Sequence, residues 1–233
     1  MYKSIDQSGK LRTIAGIGIL AAALATASSV NADEAVDYTK MTPEEAAEYM
    51  IFESGSFNLS QEMQEGGTGR ERMVQDDLQK ACSVIGGGKP DADTLAEISK
   101  AARESIEYPE GGIKLGDWQK GYELAWSGFG FRVGHNFDNH ETREPGGNCY
   151  NCHKLAPQRE IASGTIGPRL TGFAKDRGTD EATVKYVYEM IYNPHAYFPC
   201  TYMPRFGYKK LLTQEQISHL MAYILDPESP VNQ

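Results

Sequence analysis

The chain has 233 residues and a formal net charge of −9, which is enough length for one or two domains with a modest core. Residues 1–32 carry a net charge of +2, so the rest of the chain carries −11. This acidic balance argues against nucleic-acid binding and against binding to anionic membrane surfaces.

Residues 1–32 have the features of a secretory signal peptide. Three basic residues precede an apolar stretch over residues 14–27, and small residues around Ala32 offer a cleavage site. The alternative is an uncleaved membrane anchor, but the apolar stretch is shorter than the roughly 20 residues that a helical span needs. We expect a cleaved signal peptide, a periplasmic protein and no stable membrane span.

Residues 33–110 are predicted to form a helical N-terminal extension. A capping box of Thr42 and Glu45 begins a first helix that runs to about residue 54. Apolar spacing predicts a second helix over residues 71–82 and a third over residues 93–106. Because these helices carry few large apolar residues, we expect the extension to wrap around the next domain or a partner rather than to fold alone.

Residues 111–233 are predicted to form a second helical domain. Asp117 caps a helix that runs to about residue 127, and a glycine-rich, polar connection follows. A further helix begins at Thr179 and ends before Pro194. A capping box of Thr213 and Gln216 begins a last helix, which has an apolar stripe. Since the chain shows no strong strand pattern, the predicted fold class is all-α.

The motif with the clearest chemistry consists of Cys149, Cys152 and His153. Two cysteines at this spacing, followed at once by a histidine, are the attachment signature of a c-type haem. The cysteine sulfurs bind the porphyrin, and the histidine is an axial ligand of the iron. A zinc site would need a second ligand pair, and a thioredoxin-like motif would need a βαβ context, and neither is visible. We therefore predict one covalently bound haem c.

The second axial ligand must come from elsewhere in the chain. Methionine is the usual choice in electron-transfer cytochromes, because its thioether raises the reduction potential. Met203 lies in an extended, proline-stiffened loop between two predicted helices, whereas Met221 belongs to the apolar stripe of the last helix. Met203 is the predicted ligand, and the alternatives are His135, His140 and His195.

Groups around the haem can also be proposed. A ligating histidine donates its other N–H to a fixed acceptor, for which the carbonyl of Pro168 is the candidate. Arg169 and Arg205 could neutralise the haem propionates, although ordinary surface charge explains them equally well.

Cys82 and Cys200 remain after the haem motif is assigned. In an oxidising compartment a spare pair of cysteines usually forms a disulfide, which would tie the extension to the loop of Met203. The alternative is a reactive thiol, but neither cysteine has a nearby cluster of cations that would activate a thiolate.

Several segments of residues 111–233 together resemble the SoxX family, the monohaem subunits of the SoxAX cytochromes of sulfur oxidation. The closing Asp-Pro-Glu-Ser-Pro-Val-Asn is the most specific of them, whereas the cysteine motif alone indicates only a c-type cytochrome. The segments are residues 116–121, 146–153, 164–170, 203–207, 212–213 and 226–232.

The resemblance implies a class I cytochrome c fold with histidine and methionine ligation. It further implies that the helix of Trp118 packs on the face of the last helix formed by Leu220 and Tyr223, with Gly121 at the crossing. In the SoxX family, the SoxAX complex joins thiosulfate to a cysteine of the SoxYZ carrier and releases two electrons. The active-site cysteine belongs to the SoxA subunit, and the SoxX haem passes electrons on to a soluble cytochrome c.

This chain would accordingly be the electron-relay subunit of a heterodimeric S-thiosulfotransferase, with no catalytic residue of its own. The alternative is a free-standing periplasmic electron-shuttle cytochrome c. The extension and the long connection over residues 128–147 favour a subunit, because a shuttle needs only a minimal haem domain. A haem-based sensor would need an open axial position and an output domain, and neither is visible.

Overall fold

The computed structural model describes residues 36–63, 66–83, 88, 90–130, 139, 141–156 and 163–233. The chain divides into two units, Met1–Lys40 and Met41–Gln233. The described part of the first unit contains a short 3-10 helix, Tyr38–Lys40, and the predicted signal peptide lies outside the described residues. Within the described ranges, no helix is long and apolar enough to cross a membrane.

The described part of the second unit is helical, as predicted. A π-helix, Tyr49–Glu53, continues the first α-helix, and the only β-type pairing in the described residues is an isolated bridge between Glu62 and Thr68. The α-helices are α1 (Pro43–Glu48), α2 (Gly69–Met73), α3 (Asp77–Cys82), α4 (Ala92–Glu104), α5 (Trp118–Trp126), α6 (Phe173–Arg177), α7 (Glu181–Tyr192) and α8 (Gln214–Leu225).

Two predicted capping boxes are confirmed. At the start of α1, the Thr42 N–H donates to the Glu45 carboxylate at 2.8 Å, and the Thr42 hydroxyl accepts the Glu45 N–H at 3.2 Å. Thr213 and Gln216 make the same pair of bonds at the start of α8, also at 2.8 and 3.2 Å. Each box satisfies N–H groups that have no partner inside the helix.

The predicted helix over residues 71–82 is wrong, because the structure divides it into α2 and α3. A third capping box causes the break: the Asp76 side chain accepts the Gln79 N–H at 2.9 Å, and the Gln79 side chain accepts the Asp76 N–H at 3.0 Å. Val74 lies at the break and is 48% exposed. The local hydrogen bonds therefore override the apolar periodicity.

The core is built where α5 crosses α8. A Cβ on Gly121 would lie 2.0 Å from the carbonyl oxygen of His219, so only glycine allows the two helices to approach this closely. The indole N–H of Trp126 donates to the Tyr223 hydroxyl at 2.8 Å across the same interface. This confirms the crossing that the family resemblance implied.

The C-terminal segment closes the end of α8. The Asn232 amide nitrogen donates to the carbonyl oxygens of Ile224 and Asp226, each at 2.9 Å, and the Asn232 amide oxygen accepts the Ala174 N–H at 3.0 Å. Val231 is fully buried beside it. One asparagine therefore satisfies helix-end carbonyls and ties α6 to α8.

Residues 41–110 of the extension pack on residues 111–233 rather than forming a core of their own. Arg103 on α4 donates to the Ala196 carbonyl oxygen at 2.6 Å, and the Asn193 amide donates to the Ser105 hydroxyl at 2.9 Å. Ile98 and Ala102 are the buried residues of α4. Residues 41–110 thus belong to the same compact unit as residues 111–233.

A buried carboxylate strengthens this contact. Glu189 on α7 is fully buried and accepts hydrogen bonds from the Lys185 ammonium and from the hydroxyls of Tyr108 and Tyr197. Burial alone would raise the pKa of Glu189, but these three bonds outweigh it and hold the pKa below its usual value. An ionised carboxylate therefore joins the extension, α7 and the segment that follows α7.

Candidate functional site

The cysteine motif is wound into a single compact turn. A 3-10 helix, Cys149–Asn151, follows Asn148, whose φ of 53° is left-handed. The Cys149 carbonyl oxygen accepts the N–H groups of Cys152 at 3.1 Å and His153 at 2.9 Å. The Tyr150 ring stacks on Trp126 of α5 with 5.2 Å between ring centroids, which anchors the turn to the core.

The His153 ring is oriented by the loop that follows the motif. Its Nδ1 lies 2.7 Å from the carbonyl oxygen of Pro168, the acceptor that the sequence indicated. Because a carbonyl can only accept, Nδ1 carries the proton and Nε2 keeps its lone pair. No hydrogen-bond partner of Nε2 occurs among the described residues, so this nitrogen is available to an iron atom.

Two glycines that sequence reasoning did not single out hold this loop in place. A Cβ on Gly167 would lie 2.3 Å from Cε1 of His153, and a Cβ on Gly164 would lie 1.8 Å from the Asn151 carbonyl oxygen. Their N–H groups donate, each at 2.8 Å, to the carbonyl oxygens of Cys152 and Tyr150. The sequence feature that could have revealed them is a pair of glycines in a loop that lacks helical periodicity.

The cysteine chemistry fits a haem c. Burial raises the pKa of the Cys149 thiol to about 12, so this position favours a neutral sulfur, such as a thioether, over a thiolate. Cys149 also packs against the apolar core together with Leu170 and Met203. In the described ranges, no group of three or more His, Cys, Asp or Glu side chains is arranged to hold a metal ion by itself.

Met203 occupies the loop position that the sequence predicted. It is half-buried, lies between the 3-10 helix Pro194–Ala196 and α8, and packs on the same apolar core as Cys149. Met221, by contrast, is fully buried within α8, as expected of a packing residue. Met203 therefore stays the predicted second ligand.

The histidine alternatives differ from one another. His135 and His140 lie outside the described residues. His195 is only 5% exposed, and its Nδ1 accepts the Cys200 N–H at 3.0 Å. Burial, and then the charge of Arg205, lowers the pKa of His195 to about 4, so the ring is neutral at physiological pH.

The two candidate arginines have different surroundings. Arg169 forms an ion pair of 3.5 Å with Asp176, and both side chains are more than half exposed, so this pair contributes little. Arg205 is only 7% exposed, and its Nη2 lies 2.7 Å from an Asp76 carboxylate oxygen that also accepts from Lys209 at 2.6 Å. Arg205 is therefore not an ordinary surface charge.

The two remaining cysteines are bonded to each other. Cys82 and Cys200 form a disulfide with Cα atoms 5.3 Å apart, and 118 residues separate them in sequence. Cys200 adopts a left-handed φ of 61°. The bond joins α3 of the extension to the loop of Met203, three residues before that methionine.

Comparison with known proteins agrees with this geometry. The family model described as Cytochrome c matches residues 139–226, which include the cysteine motif, Met203 and all of α8. An uncharacterized lipoprotein of Aquifex aeolicus (strain VF5) is 42% identical over 159 residues, or 68% of this chain and 73% of that protein. Together with the helices, the match confirms the predicted all-α class I cytochrome c fold.

Proposed function

The chain belongs to the cytochrome c family and is similar to the Aquifex aeolicus lipoprotein, and from this premise we propose that it is the monohaem electron-relay subunit of a SoxAX-like complex. Electron transfer follows from the cytochrome c domain. The role in thiosulfate oxidation rests on the SoxX resemblance of residues 111–233.

The observation that carries the proposal is the oriented imidazole of His153 within the cysteine motif. Cys149 and Cys152 would hold the haem covalently, and His153 and Met203 would be its axial ligands. When bound, haem c supplies a one-electron couple at its iron. The hydrogen bond from His153 to Pro168 fixes the tautomer and would leave the Nε2 lone pair for the iron.

The cysteine inventory supports a relay role rather than bond-making chemistry. The chain has four cysteines, of which two belong to the haem motif and two form the disulfide. The cysteine that bonds to thiosulfate would therefore lie on a SoxA-like partner. The two electrons released when thiosulfate joins the SoxYZ cysteine would pass singly through this haem to a soluble cytochrome c.

We propose a periplasmic location, reached through the signal peptide of residues 1–32. The relative's name describes that protein as a lipoprotein. All four cysteines of this chain lie at residue 82 or later and have the roles given above. The proposal for this chain therefore concerns export only.

Co-purification from native periplasm, followed by a thiosulfate conjugation assay on the SoxYZ carrier, tests the subunit role. We expect this protein to travel with a cysteine-ligated haem protein, and conjugation to stop when it is deleted. Restoring the native chain should recover activity, whereas a Cys149→Ala/Cys152→Ala chain should not. If the protein elutes alone and conjugation is unaffected by its deletion, the subunit role is wrong and an independent electron shuttle replaces it.

A further inference from the structure

A cleft of about 600 Å³ separates the extension from the loop of Met203. The extension contributes Leu78, Cys82 and their neighbours, and the opposite wall contains His195, Met203 and Arg205. The cysteines and histidine of the haem motif are not among its described lining residues. The candidate iron ligand Met203 therefore lines the cleft, whereas the attachment motif does not.

His195 supplies a hydrogen-bond donor to this cleft. A backbone N–H can only donate, so the 3.0 Å contact from Cys200 makes Nδ1 of His195 an acceptor. In the neutral ring the proton must then reside on Nε2. Nε2 makes no hydrogen bond in the described part of the chain, and although the ring is only 5% exposed, this nitrogen is accessible from the cleft. An otherwise buried ring therefore holds one free donor at the wall of the cleft, where it can serve an acceptor bound there.

Arg205 supplies further donors in the same wall. The guanidinium has five N–H groups, and the ion pair with Asp76 uses only Nη2. The Nε and Nη1 groups have no hydrogen-bond partner in the described part of the chain. Arg205 is only 7% exposed and lines the cleft, so these donors are available to a group bound there.

Cationic side chains outnumber carboxylates around the cleft. Arg72, Arg205 and Lys209 line it, together with the carboxylate of Glu71. Asp76 binds both Arg205 and Lys209 and so compensates one of their two charges. The group therefore combines three cationic side chains with two carboxylates, in a chain whose net charge is −9.

We propose that this cleft is an anion-binding site in which Arg205 and His195 donate N–H groups to the oxygens of a carboxylate or a small oxoanion. Planar donors of arginine match such oxygens well. Two sources carry this chemistry: a propionate of the haem ligated by Met203, or a free oxoanion. The propionate source rests on the proposed function, whereas the free-anion source does not.

Two matched histidine variants of the holoprotein test the contribution of the His195 Nε2 donor. In His195→Asn, the amide oxygen can still accept the Cys200 N–H, but the Nε2 donor is lost. The control is His219→Asn, because His219 also accepts a backbone N–H through Nδ1, from Asp117 at 2.8 Å, and does not line the cleft. Arg205→Lys keeps the charge and removes the planar donors.

Infrared difference spectra between the reduced and oxidised protein, with ¹³C-labelled haem propionates, test the first source. Titration with inorganic sulfate and with thiosulfate, followed through the His195 Nε2–H resonance of the reduced protein, tests the second. We expect either shifted propionate bands in His195→Asn and Arg205→Lys, or anion binding that both variants weaken at least about tenfold. His219→Asn should behave like the native protein in both experiments.

The proposal is overturned if the propionate bands are unchanged in both variants and neither anion moves the His195 resonance. It is also overturned if His219→Asn has the same effects as His195→Asn. Haem content and the spectrum of each variant are measured separately, so a protein without haem contradicts the proposed function while the anion titration still decides the cleft.

Discussion

Nδ1 of His153 lies 2.7 Å from the carbonyl oxygen of Pro168. The bond leaves Nε2 as the only ring nitrogen with a free lone pair, and Gly167 packs directly against the ring. The loop after the cysteine motif thus orients the imidazole. Such partners of a metal ligand typically change metal affinity or activity by about 10–100-fold when they are lost.

Replacing Gly167 tests this orientation. In Gly167→Ala, the added Cβ would lie 2.3 Å from Cε1 of His153, so the ring or the loop must move. We expect a loss of about 1–3 kcal/mol in the free energy of unfolding and a changed ligand field at the iron. Chemical denaturation and electron paramagnetic resonance of the holoprotein measure the two effects. Ile166→Ala, at a neighbouring residue that is 73% exposed, should change neither, and an unchanged Gly167→Ala spectrum would contradict the account.

The second axial ligand is tested by Met203→Leu. Loss of the thioether should abolish the weak red absorption band of methionine-ligated ferric haem and lower the reduction potential. Axial ligands set haem potentials over a range of roughly 0.8 V, so a shift on the order of 0.1 V or more is expected. Met190→Leu, on the half-buried face of α7, is the control and should keep both properties. If the band disappears only in the control variant, the ligand is misassigned.

Features specified by neighbouring residues were predictable from the sequence. The capping boxes of α1 and α8 and the cysteine motif each depend on side chains within four residues of one another. The break at Asp76 was missed, although its capping box is equally local, because the apolar spacing across it suggested one continuous helix.

Features that depend on distant residues were not predictable. Lys185 and Glu189 have the spacing of a surface ion pair on a helix, yet Glu189 is fully buried because Tyr108 reaches it from 81 residues away. Arg205 pairs with Asp76 across 129 residues. Periodicity describes which face of a helix is apolar, but it does not say which buried charges will meet.

The disulfide should stabilise the fold chiefly by restricting the unfolded chain. For a closed loop of 118 residues, the chain-entropy model gives about 5 kcal/mol. We expect Cys82→Ser/Cys200→Ser to lower the free energy of unfolding by up to that amount, measured by urea denaturation of the holoprotein. Adding a reductant should lower the free energy of unfolding of the native protein by a similar amount. It should leave the free energy of unfolding of the double variant unchanged. A double variant as stable as the native protein would show that the bond does not constrain the fold.

Stability should fall in acid as Asp76 is protonated. Burial raises the pKa of Asp76, but hydrogen bonds from Lys209, Gln79 and Arg205 prevail and lower it from 3.8 to about 2. A lowered pKa means that the native state favours the carboxylate, so its stabilisation is complete above about pH 4 and is lost as the pH falls towards about 2. The shift corresponds to about 2 kcal/mol.

Urea denaturation between pH 6 and pH 2 measures this contribution. Asp76→Asn should be less stable at neutral pH and should lose less stability over the acid range than the native protein does. Asp176→Asn, which removes an exposed carboxylate paired with Arg169, should retain the native pH profile. Identical acid profiles for Asp76→Asn and the native protein would contradict the assignment.

Mass spectrometry of the protein produced in a host that matures cytochromes c tests the central claim most directly. The account predicts that the intact chain gains the mass of one haem and that a proteolytic peptide with Cys149 and Cys152 carries it through two thioether bonds. Cys82 and Cys200 should appear in a separate disulfide-linked pair of peptides. A chain without covalent haem, or with haem on any other cysteine, would contradict the account.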